Sequence, residues 1–346
     1  MINHITAAEF LDRARVLPII DVRSEKEYLQ GHIPETFNLP LFNNEERVIV
    51  GTLYKNSGRE TSVLKGLELA GPKLADFVKQ LHKITDQKQL LIYCWRGGMR
   101  SKSMAWLFQL ADYEVFIMEK GYKAYRRFIR ERLSMPANVI ILGGLTGSGK
   151  TELLHLLGKM GEQILDLEKL ACHKGSVFGG FGQPDQPTNE QFENDIFGAW
   201  ENFDLSRLVW IEDESRMIGN VSIPDPLFEQ MSRAVMIKVE TGRGQRIRRL
   251  VDEYSKVEKQ DLQKAVLKIS EKLGGTNTKT VLTAIDAGDF ETVTSLALSY
   301  YDKTYNHSVQ KRENQKIQTV SIESNDPIKN AALTLEAGKS IKRNTF

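Results

Sequence analysis

The chain has 346 residues, of which 41% are hydrophobic, and its formal net charge is +2. At roughly 100–200 residues per domain, this length indicates two domains, each able to bury a core. A net charge this small gives no overall field that attracts a polyanion, although local basic patches can still do so. The two cysteines, Cys94 and Cys172, exclude a disulfide framework and a cysteine-rich zinc site, so no structural metal is expected.

The N-terminal residues do not resemble a targeting segment. The sequence Met-Ile-Asn-His-Ile-Thr has neither a basic stretch nor an apolar core, so no signal peptide is predicted. No apolar run approaches the ~20 residues that a membrane-spanning helix needs. With only two cysteines, these features predict a cytoplasmic protein that does not enter a membrane.

The first half of the chain alternates short apolar and helical segments. Residues 6–15 predict a helix with Thr6 as its N-cap. Residues 17–23 predict a buried strand, and residues 25–29 predict a second helix. The polar and charged stretch 42–71 is too long for a plain connection. We expect it to be a partly helical insertion that borders the reactive loop of this half.

A reactive cysteine is predicted between a strand and a helix. Residues 90–93 are apolar, and apolar residues recur at helical spacing from 104 to 111. The loop between them precedes a helix N-terminus, so its backbone N–H groups and the helix dipole point toward Cys94. Arg96 and Arg100 add two cations. Such surroundings favour the thiolate, and we interpret Cys94 as a nucleophile rather than a buried structural cysteine. The other residues that would cradle an oxyanion beside the sulfur are Trp95, Gly97, Gly98 and Met99.

Three groups of residues in this half resemble the rhodanese family. They are Asp21-Val-Arg23 with Glu27, Gly31-His-Ile-Pro34 followed by Asn38-Leu-Pro40, and the closing segment 115–125. The resemblance covers roughly residues 5–135 and implies that Cys94 is the sulfur-carrying cysteine. Five residues separate Cys94 from Arg100, one more than in the usual rhodanese loop. Because cysteine phosphatases share this spacing, a phosphatase remains an alternative, although no acidic residue stands out as its general acid.

The segment of residues 120–132 is strongly basic. It contains six Lys or Arg residues against the single acid Glu131, with aromatic residues interleaved. This pattern is typical of a solvated helix face with an aromatic inner stripe, and also of a surface that docks a phosphate backbone. Both interpretations stay open.

A phosphate-binding loop begins the second half of the chain, after a boundary near Pro136. Residues 139–143 predict a strand that runs into Gly-x-x-x-x-Gly-Lys-Thr, and a helical segment follows. This strand–loop–helix context is the one in which the P-loop motif is specific. Lys150 would neutralise terminal phosphate oxygens, and Thr151 is the expected Mg²⁺ ligand. The complete set predicted to bind a diphosphate is Gly144, Thr146, Gly147, Ser148, Gly149, Lys150 and Thr151.

Acidic residues follow two further strands of this half. Residues 163–168 predict a strand with acids at its exit, and Asp166 is the candidate there. Residues 208–215 predict a buried strand that ends at Glu212 and Asp213. Carboxylates at these strand ends are candidates to organise Mg²⁺.

Arginines and glycines supply further candidates. Arg243 and Arg246 follow a predicted strand at 233–239, and they are candidates for a phosphate clamp because arginines stabilise a transferring phosphoryl charge. A solvated basic helix is one alternative, and a contact with a diphosphate or with RNA is another. The glycine-rich stretch 174–182 is expected to close over a ligand, with a flexible linker as the alternative.

The order of these elements predicts two α/β domains. A rhodanese-like α/β domain is expected over residues 1–135. A P-loop NTPase-like domain, with helices on both faces of a parallel sheet, is expected over residues 136–346. Residues 262–298 are helical in pattern, and we expect a helical insertion at about 243–300.

Three motifs in order resemble the tRNA 2-selenouridine synthase family. They are Cys94-Trp-Arg-Gly-Gly-Met-Arg-Ser101, Gly144-Leu-Thr-Gly-Ser-Gly-Lys-Thr151 and His173-Lys-Gly-Ser-Val-Phe-Gly179. The resemblance runs over nearly the whole chain. It implies conversion of wobble 2-thiouridine in tRNA to 2-selenouridine, by geranylation of the sulfur with geranyl diphosphate and then by selenium transfer from selenophosphate. It implies no tightly bound cofactor, and Mg²⁺ is the one metal that the P-loop would recruit.

The residues suit this chemistry. Alkylation makes sulfur a better leaving group, a P-loop with arginines would stabilise a departing diphosphate, and a Cys94 thiolate would accept selenium as a perselenide. A P-loop usually binds ATP, and the sequence leaves ATP and a prenyl diphosphate as alternatives. The competing enzyme is an ATP-dependent rhodanese-type sulfurtransferase acting on tRNA or a small molecule. The non-enzyme alternative is a nucleotide-gated regulatory module in which the rhodanese fold is an inert scaffold. Cys94 with its two arginines argues against this alternative, because an inert scaffold has no need of an activated thiol.

Overall fold

The computed structural model describes residues 2–310, 316–324 and 326–343. It divides into two compact units, residues 1–133 and 134–346. The outer ends of the two domains predicted from the sequence, residue 1 and residues 344–346, lie outside the described residues. No described helix is both long and apolar enough to cross a membrane.

The first unit is built on a five-stranded sheet in which every pairing is parallel. Its strands are β1 (Asn3–Ile5), β2 (Ile19–Asp21), β3 (Thr36–Asn38), β4 (Gln89–Tyr93) and β5 (Glu114–Met118), in the order β1-β5-β4-β2-β3. The central strand β4 is fully buried from Leu90 to Tyr93, on both faces of the sheet. A continuous apolar run of this kind is expected where helices cover both faces of a parallel sheet.

Seven α-helices surround this sheet. They are α1 (Ala7–Ala14), α2 (Glu25–Gln30), α3 (Asn44–Asn56), α4 (Gly58–Ala70), α5 (Leu74–Ile84), α6 (Met99–Leu110) and α7 (Gly121–Leu133). Thr6 caps α1 as predicted, and the Glu9 carboxylate accepts a hydrogen bond from the Thr6 backbone N–H at 2.9 Å, which completes a capping box. The prediction that stretch 42–71 is partly helical is confirmed, because α3 and α4 occupy nearly all of it.

The second unit contains a second parallel five-stranded sheet and a short antiparallel hairpin. The strands are β6 (Asn138–Gly144), β7 (Gln163–Leu165), β8 (Leu208–Glu212), β9 (Met217–Ile218), β10 (Val221–Ser222), β11 (Val235–Thr241) and β12 (Ile317–Ile322). The sheet order is β12-β11-β6-β8-β7, and β9 pairs with β10. The carboxyl ends of β6, β8 and β7 therefore meet at one edge, which is where ligands bind in open α/β sheets.

The helices of the second unit fall into two groups. Those that cover the sheet are α8 (Lys150–Lys159), α9 (Leu167–Leu170), α10 (Asn189–Trp200), α11 (Asp225–Arg233) and α17 (Pro327–Arg343). The others lie between β11 and β12: α12 (Arg243–Tyr254), α13 (Lys259–Lys268), α14 (Ser270–Leu273), α15 (Gly275–Ala287) and α16 (Phe290–Gln310). This second group packs around its own apolar cluster, which includes Leu262, Ile285 and Leu298. The insertion predicted at about 243–300 thus extends to Gln310, and the α/β fold class predicted from the sequence is confirmed.

Candidate active sites

Cys94 lies directly after β4, at the start of the loop that leads into α6. Its Sγ accepts a hydrogen bond from the Gly98 N–H at 3.3 Å and lies 3.2 Å from the Ser101 Oγ. Only 3% of the residue is exposed. The sulfur therefore sits against the N-terminus of α6, where backbone N–H groups and the helix dipole stabilise a negative charge.

The loop around Cys94 is held by the turn that follows β5. Gly97 has a φ of +62°, and a Cβ there would lie 2.6 Å from the carbonyl oxygen of Met118. Gly121 has a φ of +56°, and its Cβ would overlap the carbonyl oxygen of Cys94. The same carbonyl accepts a hydrogen bond from the Tyr122 N–H at 2.9 Å. Two glycines are thus required for the loop and the turn to pack backbone against backbone.

The two arginines predicted beside the sulfur have different environments. Arg100 donates to both carboxylate oxygens of Glu27, at 2.5 and 3.1 Å. Burial alone raises the pKa of Glu27, but the hydrogen bond and the charge of Arg100 hold it below its ordinary value. Arg100 is therefore fixed in place with its charge balanced by Glu27, and its action on the sulfur stays a prediction. Arg96 is exposed, and within the described chain no carboxylate pairs with it.

The other residues of the rhodanese-like motifs build the fold. Arg23 and Asp21 form a completely buried ion pair at 2.6 Å, and Arg23 also donates to the carbonyl oxygen of Gly31 at 2.7 Å. His32 stacks on Tyr28 with ring centroids 3.7 Å apart. This stack gives His32 a role in packing the fold.

A cavity of about 700 Å³ opens beside Cys94. Its walls come from α3, α4, α6 and the cysteine loop. The predicted insertion therefore borders the cysteine, as expected. We call this space the Cys94 cavity.

The P-loop lies at the carboxyl end of β6 and leads into α8. All the residues predicted to bind a diphosphate line one cleft of about 890 Å³, which we call the P-loop cleft. Gly147 and Gly149 have φ values of +76° and +87°, which turn successive N–H groups toward a common centre. The Lys150 Nζ donates to the Gly144 carbonyl oxygen at 3.2 Å, and the Gly144 N–H donates to the Tyr305 hydroxyl at 3.0 Å.

Carboxylates meet beside Thr151. Its Oγ1 lies 3.1 Å from Glu168 Oε2 and 3.3 Å from Glu212 Oε2, and the Glu168 N–H donates to Glu212 Oε1 at 3.0 Å. Burial, and then the charge of Glu168, raises the pKa of Glu212 well above its ordinary value. The same two causes raise the pKa of Glu214 to about 8. Their negative charges repel one another where little solvent screens them. A cation bound among them would therefore be strongly favoured.

The acids that line the cleft are only partly those chosen from the sequence. Glu168, Asp213 and Glu214 line it, whereas Asp166 accepts a hydrogen bond from the Lys169 N–H at 2.8 Å and caps α9. Strand exits identified the right segments, but the sequence did not tell which acid faces the loop. The hydroxyl of Thr151 and the neighbouring carboxylates are hard oxygen donors that fit Mg²⁺. Among the described residues, no three His, Cys, Asp or Glu side chains form a metal-holding group.

The arginines of α12 also differ from the prediction. Arg246 is 3% exposed, donates from Nε to the Thr146 carbonyl oxygen at 2.8 Å and pairs with Asp302. Arg243 donates to the carbonyl oxygen of Ser295 at 3.0 Å. Neither lines the P-loop cleft, so the structure does not bring them to the place where a phosphate clamp is expected. Arg246 instead supports the P-loop backbone. Arg249, three residues further along the helix, does line the cleft. The basic run 243–249 marked this segment, but the sequence did not show which of its arginines faces the cleft.

The glycine-rich stretch forms one wall of the P-loop cleft. Gly175 and Gly179 line the cleft together with Phe178, whose ring packs on Tyr254 with centroids 4.7 Å apart. The Val177 N–H donates to the Tyr301 hydroxyl at 3.3 Å. The stretch is therefore anchored on the helical insertion, and its closure over a ligand stays a prediction.

The two units and their sites define a class of protein in which a rhodanese-like domain precedes a P-loop domain. The rhodanese-like domain model matches residues 6–128. The model of the tRNA 2-selenouridine synthase AAA domain matches residues 137–330.

Curated relatives extend this match over most of the chain. A tRNA 2-selenouridine synthase of Nitrosomonas europaea is 33% identical, over 85% of this chain and 90% of the relative. Those of Hydrogenovibrio crunogenus and Bdellovibrio bacteriovorus are 34% and 32% identical, each over 86% of this chain and 90% of the relative. The chain belongs to the tRNA 2-selenouridine synthase family and is an enzyme of that type, which confirms the resemblance of its motifs.

Proposed function

We propose that this enzyme converts 2-thiouridine at the wobble position of tRNA to 2-selenouridine in two reactions. The observation that carries the proposal is that one chain has both a cleft suited to a diphosphate and a cysteine at a helix N-terminus. The family supports the overall conversion of tRNA. The division into geranylation and selenium transfer is our own assignment of chemistry to the two sites.

In the first reaction, the P-loop cleft holds geranyl diphosphate. The thiocarbonyl sulfur of the base attacks C1 of the geranyl group, the C1–O bond breaks, diphosphate leaves, and N3 of the base loses its proton to solvent. The P-loop N–H groups, Lys150 and Arg249 stabilise the leaving diphosphate. Thr151 and Glu212 would hold Mg²⁺, which when bound supplies further positive charge to the diphosphate.

In the second reaction, the Cys94 thiolate attacks the phosphorus of selenophosphate, the P–Se bond breaks and hydrogen selenide leaves; the selenium is already at the selenide level, so no perselenide forms and no oxidant is needed. The selenide attacks C2 of the geranylated base, geranylthiolate leaves, and water hydrolyses the S–P bond to release phosphate and regenerate Cys94. The Gly98 N–H and the N-terminus of α6 stabilise the anionic group at the Cys94 sulfur. Alkylation matters here because a thiolate leaves more readily than the sulfur of an unmodified thiocarbonyl.

The remaining assignments concern partners. Basic residues 120–132 occupy the end of the turn after β5 and nearly all of α7, and we assign them to the tRNA backbone on charge alone. A cytoplasmic location follows from a tRNA substrate.

The test uses purified enzyme, 2-thiouridine-containing tRNA, geranyl diphosphate and selenophosphate, with nucleosides read by mass spectrometry. Wild type should yield geranylthio- and selenouridine. Cys94→Ala should stop at the geranylated base, and Lys150→Ala should form neither product. If tRNA is unchanged while ATP or a phosphate ester is hydrolysed, the proposal fails, and a sulfurtransferase or phosphatase takes its place.

A further inference from the structure

The Cys94 cavity has an apolar lining that selenium transfer to a base does not by itself explain. Large apolar side chains around it are exposed: Tyr54 by 62%, Leu67 by 64%, Trp95 by 37%, Met99 by 48% and Trp106 by 54%. They come from two helices of the insertion, the cysteine loop and α6. Soluble proteins rarely concentrate exposed apolar surface unless it binds something.

The floor and the edge of this cavity differ in chemistry. The floor consists of buried apolar residues such as Phe42 and Met104, which are 7% and 1% exposed. The basic residues that line the cavity are Arg47, Arg96, Arg100 and Lys102, and its lining contains no Asp or Glu. Arg47 and Arg100 both pair with Glu27, so the exposed Arg96 and Lys102 are the cations offered to a ligand. A ligand that fits has an apolar chain and carries negative charge nearby.

We infer that the Cys94 cavity holds the geranyl chain of the S-geranylated base while selenium is transferred. The inference rests on the proposed function and deepens it. The chain is attached to the sulfur that leaves from C2, so when C2 is next to Cys94 the chain begins within a bond or two of the cavity. The RNA phosphates then face the basic residues. The volume of about 700 Å³ is that of a small-molecule site.

The P-loop cleft is a poorer place for the chain during this step. Its lining combines charged residues that suit a diphosphate, such as Lys150 and Arg249, with apolar ones such as Phe178 and Leu250 that suit the chain while geranyl diphosphate is bound. After the first reaction, diphosphate has left, and the chain remains on an RNA base that must reach the cysteine. An apolar cavity at the cysteine keeps the chain out of water during that reaction.

The test compares two anticodon stem-loop RNAs, one with S-geranyl-2-thiouridine and one with S-methyl-2-thiouridine at the wobble position. Leu67→Asn places an amide in the cavity wall. Leu64→Asn is the matched control, because Leu64 lies on the same helix and is 59% exposed but does not line the cavity. Leu67→Asn should weaken binding of the geranyl RNA about three- to tenfold and leave the methyl RNA unchanged. Leu64→Asn should change neither affinity.

Tryptophan fluorescence gives a second readout. Trp95 and Trp106 are exposed at the cavity, whereas Trp200 and Trp210 are 2% and 0% exposed in the other unit. The geranyl RNA should shift the emission to shorter wavelength more than the methyl RNA does, and Trp106→Phe should reduce that difference. Thermal unfolding of each variant shows whether the fold is intact.

Two results would overturn the inference. If Leu67→Asn weakens both RNAs equally, the cavity binds RNA rather than the chain. If it weakens neither, the chain lies elsewhere. The proposed function has a separate test, in which wild type receives the geranyl RNA and selenophosphate. If the RNA binds in a Leu67-dependent way but no 2-selenouridine forms, the proposed reaction is contradicted while the cavity assignment is still supported.

Discussion

The ion pair between Glu27 and Arg100 allows a quantitative prediction about the loop that holds Cys94. Glu27→Gln should destabilise the first unit by about 1–3 kcal/mol at pH 7. The side chains are 23% and 15% exposed and make two hydrogen bonds. An exposed pair contributes about 0–1 kcal/mol, and breaking a buried pair costs about 3–5 kcal/mol, so this half-buried pair falls between them. Glutamine still accepts the Ser24 N–H bond, so the loss reports the charge.

The pH dependence of this loss identifies its cause. Because the pKa of Glu27 is lowered in the folded state, its contribution is present above the ordinary value of 4.5 and is lost as the pH falls through the lower folded value. The difference between wild type and Glu27→Gln should therefore be largest at pH 7 and shrink below pH 4.5. Hydrogen exchange of α2 and α6 peptides in urea reports the first unit separately.

The matched control is Glu45→Gln, since Glu45 is an exposed acid in the first turn of α3. This replacement should cost no more than about 0.5 kcal/mol, as surface substitutions usually do. The reasoning is refuted if Glu27→Gln destabilises the unit equally at pH 7 and pH 3, or if Glu45→Gln costs as much.

Three further predictions test the other contacts. Arg246→Met should lower the free energy of unfolding by about 3 kcal/mol and weaken diphosphate binding, because the P-loop loses its support. The control is Arg248→Met at an exposed position of the same helix, which should change neither quantity; calorimetric unfolding and titration measure the two. Gly97→Ala should destabilise the first unit by more than about 2 kcal/mol in urea unfolding, because its Cβ meets a backbone carbonyl. Gly98→Ala is the control: its Cβ has open space, so the replacement should be nearly neutral, and equal losses of stability would contradict the reasoning. The pKa of Glu214 is raised to about 8 in the folded state, so the second unit should lose stability as the pH rises from about 4.5 to 8. Glu214→Gln should remove much of this pH dependence, which hydrogen exchange of α8 measures.

The parts predicted well from the sequence are those whose determinants are adjacent in the chain. The loop after β4 and the loop after β6 each combine an apolar strand, glycines and a helix within a few residues. Their backbone geometry is set locally, so the positions of Cys94 and Lys150 at helix N-termini follow from spacing alone. Capping of α1 by Thr6 is local in the same way.

The parts that the sequence missed depend on contacts between distant residues. Arg100 finds its carboxylate 73 positions earlier, and Arg246 finds Asp302 56 positions later. Nothing in the local pattern distinguishes a paired arginine from a free one. Strands β1 and β3 have three residues each, too few for a periodic pattern, and they form because they pair with strands already in the sheet.

The electrostatics of the two sites explains why the proposed chemistry needs both of them. The P-loop cleft places Glu168, Glu212 and Glu214 close together, and their raised pKa values reflect the cost of gathering negative charge in a buried place. Such a site accepts a diphosphate only together with cations. An anionic selenium carrier would be repelled by the same carboxylates. In the proposed second reaction, the Cys94 cavity, which is lined by apolar side chains and by the exposed Arg96 and Lys102 but by no acid, would hold that anion and the hydrocarbon chain together. Under the proposed function, the step that releases diphosphate needs a site with carboxylates and cations, and the step that uses anionic selenium needs a site without carboxylates. A single site for both steps would therefore slow one of the two reactions.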